Sequence, residues 1–171
     1  EELISRYEQR IFRFGFRMCG HEQDAEDVVQ DTFVSAYRNL GGFRGDASIL
    51  TWLLKIASSA CLKKRRLKKN EPRNHIPFED LQSQPTGEAR IDVPRQPTPD
   101  LEILSAEVRE RFHVALGSIP GHYRQVLVLR ELEGMSTREV AEILGLTESA
   151  VKVRLHRARK MVQKAFENAG L

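Results

Sequence analysis

The stretch Ser136–Arg159, STREVAEILGLTESAVKVRLHRAR, decides the fold. It reads as two helices joined by a tight turn. Ser136 and Glu139 hold the S-x-x-E spacing of a capping box, which satisfies orphan N–H groups at a helix start. Val140, Ile143 and Leu144 recur at i, i+3 and i+4, so one face is apolar. Gly145 then stops the helix, because it adopts a left-handed conformation at little steric cost. Thr147 or Glu148 opens a second helix, with Val151, Leu155, Ala158 and Val162 on one side. Ser149, Lys152, Val153, His156 and Arg157 are left to point largely elsewhere. A short helix, a glycine turn and a basic second helix form the pattern of a helix-turn-helix whose second helix enters the major groove. Two ordinary helices of a small bundle with a solvated basic face share that pattern, since helix-glycine-helix is common.

Around this stretch the chain has 171 residues, enough for one large or two small domains. Its net charge of +3 says little about partners, but the distribution says more. Residues 1–70 hold 13 Lys and Arg against 9 Asp and Glu, residues 71–101 hold 3 against 6, and residues 102–171 hold 11 against 9. Two basic ends flank an acidic middle, and clustered charge is what makes an electrostatic footprint for nucleic acid. Cys19 and Cys61 sit among apolar residues at helical spacing and read as buried thiols in a reducing compartment, with no disulfide framework. Cys19-Gly20-His21 lacks a second Cys/His pair at ligand spacing, so no zinc site is expected. No apolar run reaches the length of a membrane span. Glu1 shows no signal-peptide pattern, and with no initiator Met, residues upstream of it are expected. A soluble, cytoplasmic, monomeric protein is the expectation.

Taken in order, residues 3–19 read as a first helix with Ile4, Tyr7, Ile11, Phe14 and Met18 on one face. Arg6, Arg10, Arg13 and Arg17 line another, as a solvated face or as partners to nearby acids. Asp24 or a neighbour caps a second helix to about Leu40. Its apolar stripe is read as Ala25, Val28, Val29, Phe33, Ala36, Tyr37 and Leu40. The opposite face carries Asp24, Asp27, Gln30, Asp31 and Val34. Asp27 and Asp31 are a like-charge pair at i, i+4, which costs a few tenths of a kcal/mol in an isolated helix. A basic partner surface or, for the residues nearest the N-terminus, the helix dipole would offset it.

Gly41 to Asp46 is a loop by composition. Phe43 and Arg44 amid glycines suit a stacking pocket for an unpaired base, or Phe43 tucks under the next helix. Ser48 caps that helix, which carries the only tryptophan, Trp52, and ends in the basic run Lys63-Lys64-Arg65-Arg66-Leu67-Lys68-Lys69. Such a run is too concentrated for a helix-dipole effect alone and suits a phosphate backbone. Residues 70–99 hold six of the seven prolines, with no helical or strand period, and read as a flexible linker. Its roughly 30 residues, at about 3 Å each when extended, would reach roughly 90 Å. Asp100 caps a helix through Ile103, Leu104, Val108, Phe112 and Leu116, which Ile119-Pro120 breaks. A helix from Tyr123 to Leu132 then leads into the helix-turn-helix. No strand pattern occurs. The fold class is therefore all-α, with two small helical domains, 1–69 and 100–171, joined by the linker 70–99.

Two segments carry a resemblance. HEQDAEDVVQDTFVSAYRNLGGFRGDASILTWLLKIASSACLKKRR resembles region 2 of sigma factors, and SIPGHYRQVLVLRELEGMSTREVAEILGLTESAVKVRLHRARKMV resembles region 4. Both stand in order with a linker and no region 3 between them, the layout of the extracytoplasmic-function (ECF) group of bacterial sigma factors. The resemblance covers nearly the whole chain. It implies a core RNA polymerase-binding face at Asp24, Asp27, Gln30 and Asp31, docking a coiled coil of the β′ subunit, with further contact to β. It implies capture of a flipped base of the melted upstream ten-position element by Phe43, Arg44, Gly45, Asp46 and Ser48, with Trp52, Lys55, Lys63 and Arg66 along the melted strand. Flipping costs a few kcal/mol of unstacking, which a snug pocket and a basic helix must offset.

In region 4 the resemblance puts Lys152, Val153, His156 and Arg157 at the base-facing positions for the element near thirty-five. Arg130 stands at another DNA-contacting position, and Ser149 and Arg154 on the same helix are expected beside the duplex. Arg154 and Arg159 suit phosphate contact or a structural role. Promoter DNA, core polymerase and an anti-sigma factor are the implied partners, with no cofactor and no metal. Ser58-Ser59 stands where family members often carry Arg-Asn, and a family Asp is replaced near Leu62, so the preference for the melted element is expected to be unusual. The expected function is promoter recognition and opening, driven by binding energy and without catalysis. A dimeric helix-turn-helix regulator would leave the acidic helix, the Gly-Phe-Arg-Gly loop and the basic run unexplained together. A metal-dependent hydrolase built on Asp24, Asp27 and Asp31 lacks a catalytic His or a Gly-rich phosphate loop.

Overall fold

The structure is a computed structural model that describes residues 2–70 and 99–168, with the stretches 66–70 and 99–107 and residue 109 described for their backbone alone. Seven α-helices follow one another among the described residues, with no strand: α1 Glu2–Cys19, α2 Glu22–Asn39, α3 Ile49–Asn70, α4 Pro99–Ser118, α5 Gly121–Leu127, α6 Thr137–Leu144 and α7 Glu148–Asn168. A 3₁₀ turn, Leu40–Gly42, follows α2, and a π-helical turn, Val128–Leu132, follows α5. Most of the sequence-predicted linker lies outside the described residues.

Helices α1 to α3 form one bundle. Ile11, Phe14 and Met18 of α1 are fully buried, at the helical spacing that predicted them, although Ile4 stays exposed. Gly15 faces α2 so closely that an added Cβ would lie 3.2 Å from the Ala25 Cα. That approach requires small groups on α2, and its buried stripe is Asp24, Ala25, Val28, Thr32 and Ala36. The predicted stripe merged two neighbouring rows. The row of Tyr37 and Leu40 is turned aside and exposed, Tyr37 by 83%. Asp24 sits inside the first turn, and the helix is capped by His21 backbone instead, without a side-chain cap. Ser48 caps α3 as predicted: its hydroxyl accepts from the Thr51 N–H at 3.1 Å.

Helices α4 to α7 form the second bundle. Ser136 and Glu139 make the predicted capping box, the Glu139 N–H donating to the Ser136 hydroxyl at 3.1 Å and the Ser136 N–H to the Glu139 carboxylate at 2.8 Å. Gly145 ends α6 at φ 64°, the left-handed conformation the sequence called for. Thr147 opens α7 by accepting from the Ala150 N–H at 3.2 Å. The predicted helix Tyr123–Leu132 is instead split. Its second half widens into the π turn, closed by the Glu133 N–H on the Val128 carbonyl at 2.9 Å. Such a widened turn escapes a 3.6-residue pattern.

The two bundles share one core. Phe14, Leu53, Leu54, Leu116, Val126, Val140 and Val151 belong to a single buried cluster. Across the seam, a guanidinium nitrogen of Arg124 donates to the Met18 carbonyl at 2.7 Å, and the Gln125 amide donates to the Ser58 carbonyl at 3.1 Å. Both Arg124 and Gln125 are almost fully buried. Burial, and then the charge of Arg65, lowers Arg124 to about 10, so it stays cationic at neutral pH. Cys19 and Cys61 are thiols without a disulfide. A hydrogen bond with Cys19 and then burial push the Cys61 thiol upward, which leaves it inert.

Candidate polymerase and nucleic-acid interfaces

On α2 the four predicted acidic-face residues divide. Asp27 is partly exposed, and Gln30 and Asp31 are exposed. Asp24 is only 9% exposed and belongs to the buried side. The expectation of one four-residue face is corrected here: the close α1–α2 contact turns Asp24 inward. Part of the like-charge cost has an internal answer. Lys64, from the basic run on α3, donates to Asp27 at 2.5 Å. Burial by itself would lower the Lys64 pKa, but the hydrogen bond and charge of Asp27, with Asp24 and Asp31 behind them, raise it. Lys64 is therefore held in the fold and is not a free phosphate ligand. The sequence reading missed the apolar company of Asp31. Val34, Tyr37 and Leu40 are exposed large hydrophobic residues along the outer side of the same helix and its 3₁₀ turn. The signal was the Val34 already out of place on the acidic face.

In the loop after α2, Arg44, Gly45, Asp46 and Ser48 are exposed and Phe43 is half-buried. The Phe43 ring lies 5.0 Å from that of Trp52, tilted by 39°. Phe43 therefore rests against α3, the packing arrangement of its two alternatives, while staying partly exposed. Lys55 and Lys63 are exposed on α3, while the side chain of Arg66 lies outside the described residues. Ser58 is buried beneath α5, where the Gln125 amide reaches its carbonyl. A serine there lets the second bundle close on α3, where a longer cation would hold it away. A cleft of about 220 Å³ joins Asp46, Ser48 and Thr51 to Arg138, Glu139 and Glu142 of α6. The loop after α2 and the first helix of the helix-turn-helix thus lie side by side.

On α7 Val151, Leu155 and Ala158 are buried, as their spacing predicted, while Val162 of the same stripe is only partly buried. Ser149, Lys152, Val153, His156 and Arg157 are exposed, and Arg154 is half-buried. Val153 is a valine left 50% exposed between charged neighbours. A second cleft, about 420 Å³, runs between Ser149, Val153, Arg154 and Arg157 on α7 and His122 and Tyr123 on α5. His122 and Tyr123 carried no signal in the sequence, because the contact joins two helices. Arg130 spends one nitrogen on the Met135 carbonyl at 2.6 Å, bracing the entry to α6. Arg159 is exposed and paired with Glu131 at 2.5 Å.

The arginine row of α1 also has a partner. Arg10 donates to the Glu133 carboxylate at 3.0 Å and Arg17 donates to it at 2.9 Å. Arg10 also donates to the Glu133 carbonyl at 2.8 Å. Glu133 was not singled out in the sequence. The π turn rotates it into the seam, where its side chain is 3% exposed. Among the described residues no group of three or more His, Cys, Asp and Glu is placed to hold a metal ion, and no helix is long and apolar enough to cross a membrane.

The family model for sigma-70 region 2 matches residues 3–71, and that for sigma-70 region 4 matches residues 109–162. The chain is 36% identical to the RNA polymerase sigma factor YlaC of Bacillus subtilis, over 96% of this chain and 90% of the relative. It is 32% identical to the ECF RNA polymerase sigma-E factor of Haemophilus influenzae, over 96% of this chain and 86% of the relative. Among solved structures it is similar to CnrH in complex with the cytosolic domain of CnrY, with a TM-score of 0.64 and 26% identity over 99% of this chain and 88% of that one. The sigma factor RpoE of Bartonella quintana, solved with the anti-sigma factor NepR, shares the fold with a TM-score of 0.67 at 20% identity, over 97% of this chain and 95% of that one.

Proposed function

Because the chain belongs to the sigma-70 family of RNA polymerase sigma factors, in the extracytoplasmic-function group, we propose how its surfaces divide the work of initiation. The protein is a transcription initiation factor that binds core RNA polymerase and directs it to promoters. Core polymerase docks on α2 through Asp27, Gln30 and Asp31, with Val34, Tyr37 and Leu40 adding apolar area. The charges steer the encounter and the exposed aromatic anchors it. The melted element is taken by Phe43 to Ser48 and the adjoining face of α3, where Trp52, Lys55, Lys63 and Arg66 stand. The upstream duplex element is read by Lys152, Val153, His156 and Arg157, with Ser149, Arg154 and Arg130 placed beside it. No step needs a cofactor or a catalytic side chain, since binding energy alone opens the duplex. The sequence domains are the working units: 1–69 for polymerase and melted strand, 100–171 for upstream duplex, and 70–99 as the tether that supplies effective concentration.

One observation carries this reading. The recognition helix keeps five predicted positions in solvent, a half-exposed valine among them, while burying Val151, Leu155 and Ala158 on the opposite face. Val153 stands on the exposed stripe between Lys152 and Arg154, where its methyl groups suit contact with a thymine methyl. In the closed arrangement described above, the loop for the melted element abuts α6, so engaging two separate promoter elements requires the seam to part. An anti-sigma factor, the kind of partner with which the sigma factor RpoE was solved, is proposed to hold it shut. The deciding experiment is run-off transcription with core polymerase on a pool of genomic promoters. Start sites that depend on this chain carry the reading. Tight, specific duplex binding by the free protein, without polymerase dependence, would favour a dimeric regulator instead.

A further inference from the structure

We propose that Tyr123 is a positioning residue for promoter readout: its hydroxyl aims the Arg157 guanidinium at the upstream duplex. The inference rests on the assignment of α7 as the reading helix. Tyr123 stands on α5, outside the helix-turn-helix, yet borders the reading stripe Ser149, Val153 and Arg157 across the 420 Å³ cleft. Its ring packs against the shared core while its hydroxyl reaches the rim. There the hydroxyl accepts from the Arg157 Nη1 at 3.4 Å, a long hydrogen bond that restrains the guanidinium without clamping it. The His122 ring lies 4.1 Å from the Tyr123 ring, tilted by 42°, and limits its sideways motion.

The physical need is clear from Arg157 itself. It is exposed, and a free arginine loses much rotamer entropy when it forms a two-pronged contact with a guanine edge. A fixed acceptor on a neighbouring helix reduces that loss before DNA arrives, the general advantage of preorganisation. A tyrosine hydroxyl suits the task, since it accepts from the guanidinium while its own proton stays free for a phosphate or base acceptor. Two of the five guanidinium donors suffice for a guanine edge, so holding Nη1 leaves the opposite side of the fork available. Ser149 and Val153 flank this contact on the same stripe of α7, so the cleft presents a donor, a methyl-sized apolar surface and a hydroxyl together.

The test uses holoenzyme assembled from core RNA polymerase and the full chain. Its preferred upstream duplex is selected from a randomised library, and each selected position is then changed to the other three base pairs in competition binding. Arg157→Ala should flatten the preference at one position. Tyr123→Phe, which removes only the hydroxyl, should reduce the preference at that same position about two- to tenfold, the range of one hydrogen bond's net contribution. Preferences elsewhere and the salt dependence should not change, because no phosphate contact is removed from the rest of the site. The double variant should show no more loss than Arg157→Ala alone. If Arg157→Ala flattens a position that Tyr123→Phe leaves intact, the positioning role is overturned and the reading helix stands. An equal loss at every position makes Tyr123 a packing residue and overturns it too. If Arg157→Ala flattens no position, the base-reading role of Arg157 and this proposal are overturned together.

Discussion

Arg17 donates to the Glu133 carboxylate at 2.9 Å, joining a helix at the start of the chain to a turn 116 residues later. Arg10 shares the same carboxylate, and the carboxylate is almost wholly enclosed. Burial lowers the Arg17 pKa, and the Glu133 charge opposes that shift. A buried ion pair is weak support for net stability, but removing one partner leaves charges uncompensated. The seam is therefore specified by charge as well as by apolar packing.

Glu133→Ala should destabilise the closed arrangement by on the order of 3 kcal/mol, since two guanidiniums lose their shared partner. Chemical denaturation reports the loss, and small-angle scattering should show a larger radius while far-UV circular dichroism holds steady. An unchanged radius and midpoint would show that apolar contact alone holds the seam.

Asp31→Lys should reduce capture by core polymerase at least about tenfold, as reversing a rim charge replaces attraction with repulsion. Asp31 is the better probe than Asp27, whose replacement would also release Lys64 from its ion pair. Pull-down with core enzyme measures the effect, with the melting temperature as control. Undiminished capture would remove the acidic side of α2 from the docking surface.

Phe43→Ala should weaken binding of a single-stranded oligonucleotide carrying the melted element by about 1–3 kcal/mol, the value of one base stacked on an aromatic ring. Trp52 is the only tryptophan and lies 5.0 Å from Phe43, so its fluorescence reads the event directly. Equal quenching titrations for both proteins would return Phe43 to a purely packing role.

Ser136→Ala should cost about 1 kcal/mol of stability by leaving the Glu139 N–H without its cap. The Ser136 backbone and then its side chain hold the Glu139 carboxyl below its ordinary pKa. That contribution is present above the ordinary carboxylate range and is lost as pH falls through the depressed folded value. The gap between wild type and Glu139→Gln in urea midpoint should therefore narrow below about pH 4. A gap that is constant with pH would separate the cap from the carboxylate.

His113 supplies a second pH dependence. It meets Phe16 edge-on across the α1–α4 contact at 5.4 Å. Burial lowers its pKa, Glu110 opposes the shift, and Arg17 adds to it. The unfolded chain then binds the proton more readily, so this contribution is complete above the ordinary histidine value of about 6.5 and is lost as pH falls below it. Between pH 8 and pH 5 the His113→Gln variant should lose less stability than the parent, as read from denaturation midpoints. Parallel losses would mean that His113 takes no part.

Much of the site could be read directly because its rules are local. The capping box at Ser136 and Glu139, the left-handed Gly145 and the buried Val151, Leu155 and Ala158 are set by residues within one or two turns of each other. The α2 stripe could not be read so well. Two adjacent apolar rows fit the helical period equally, and only the Gly15 approach selects the one with Ala25 and Ala36. Lys64 is similar, a member of a basic run until α2 places Asp27 beside it.

The sequence by itself determined the helices, their order, the helix-turn-helix and the family, because periodicity, caps and motifs are properties of neighbouring residues. The tertiary structure alone decided that the two bundles close on one another. It turned Asp24 inward, Tyr37 outward and Glu133 between two arginines, and set Tyr123 beside Arg157. Each of these depends on which helix faces become neighbours, or on a π turn that adds one residue to the helical count. Periodicity carries no information about that choice. It is settled by close approach, by burial and by the need of an enclosed carboxylate for partners.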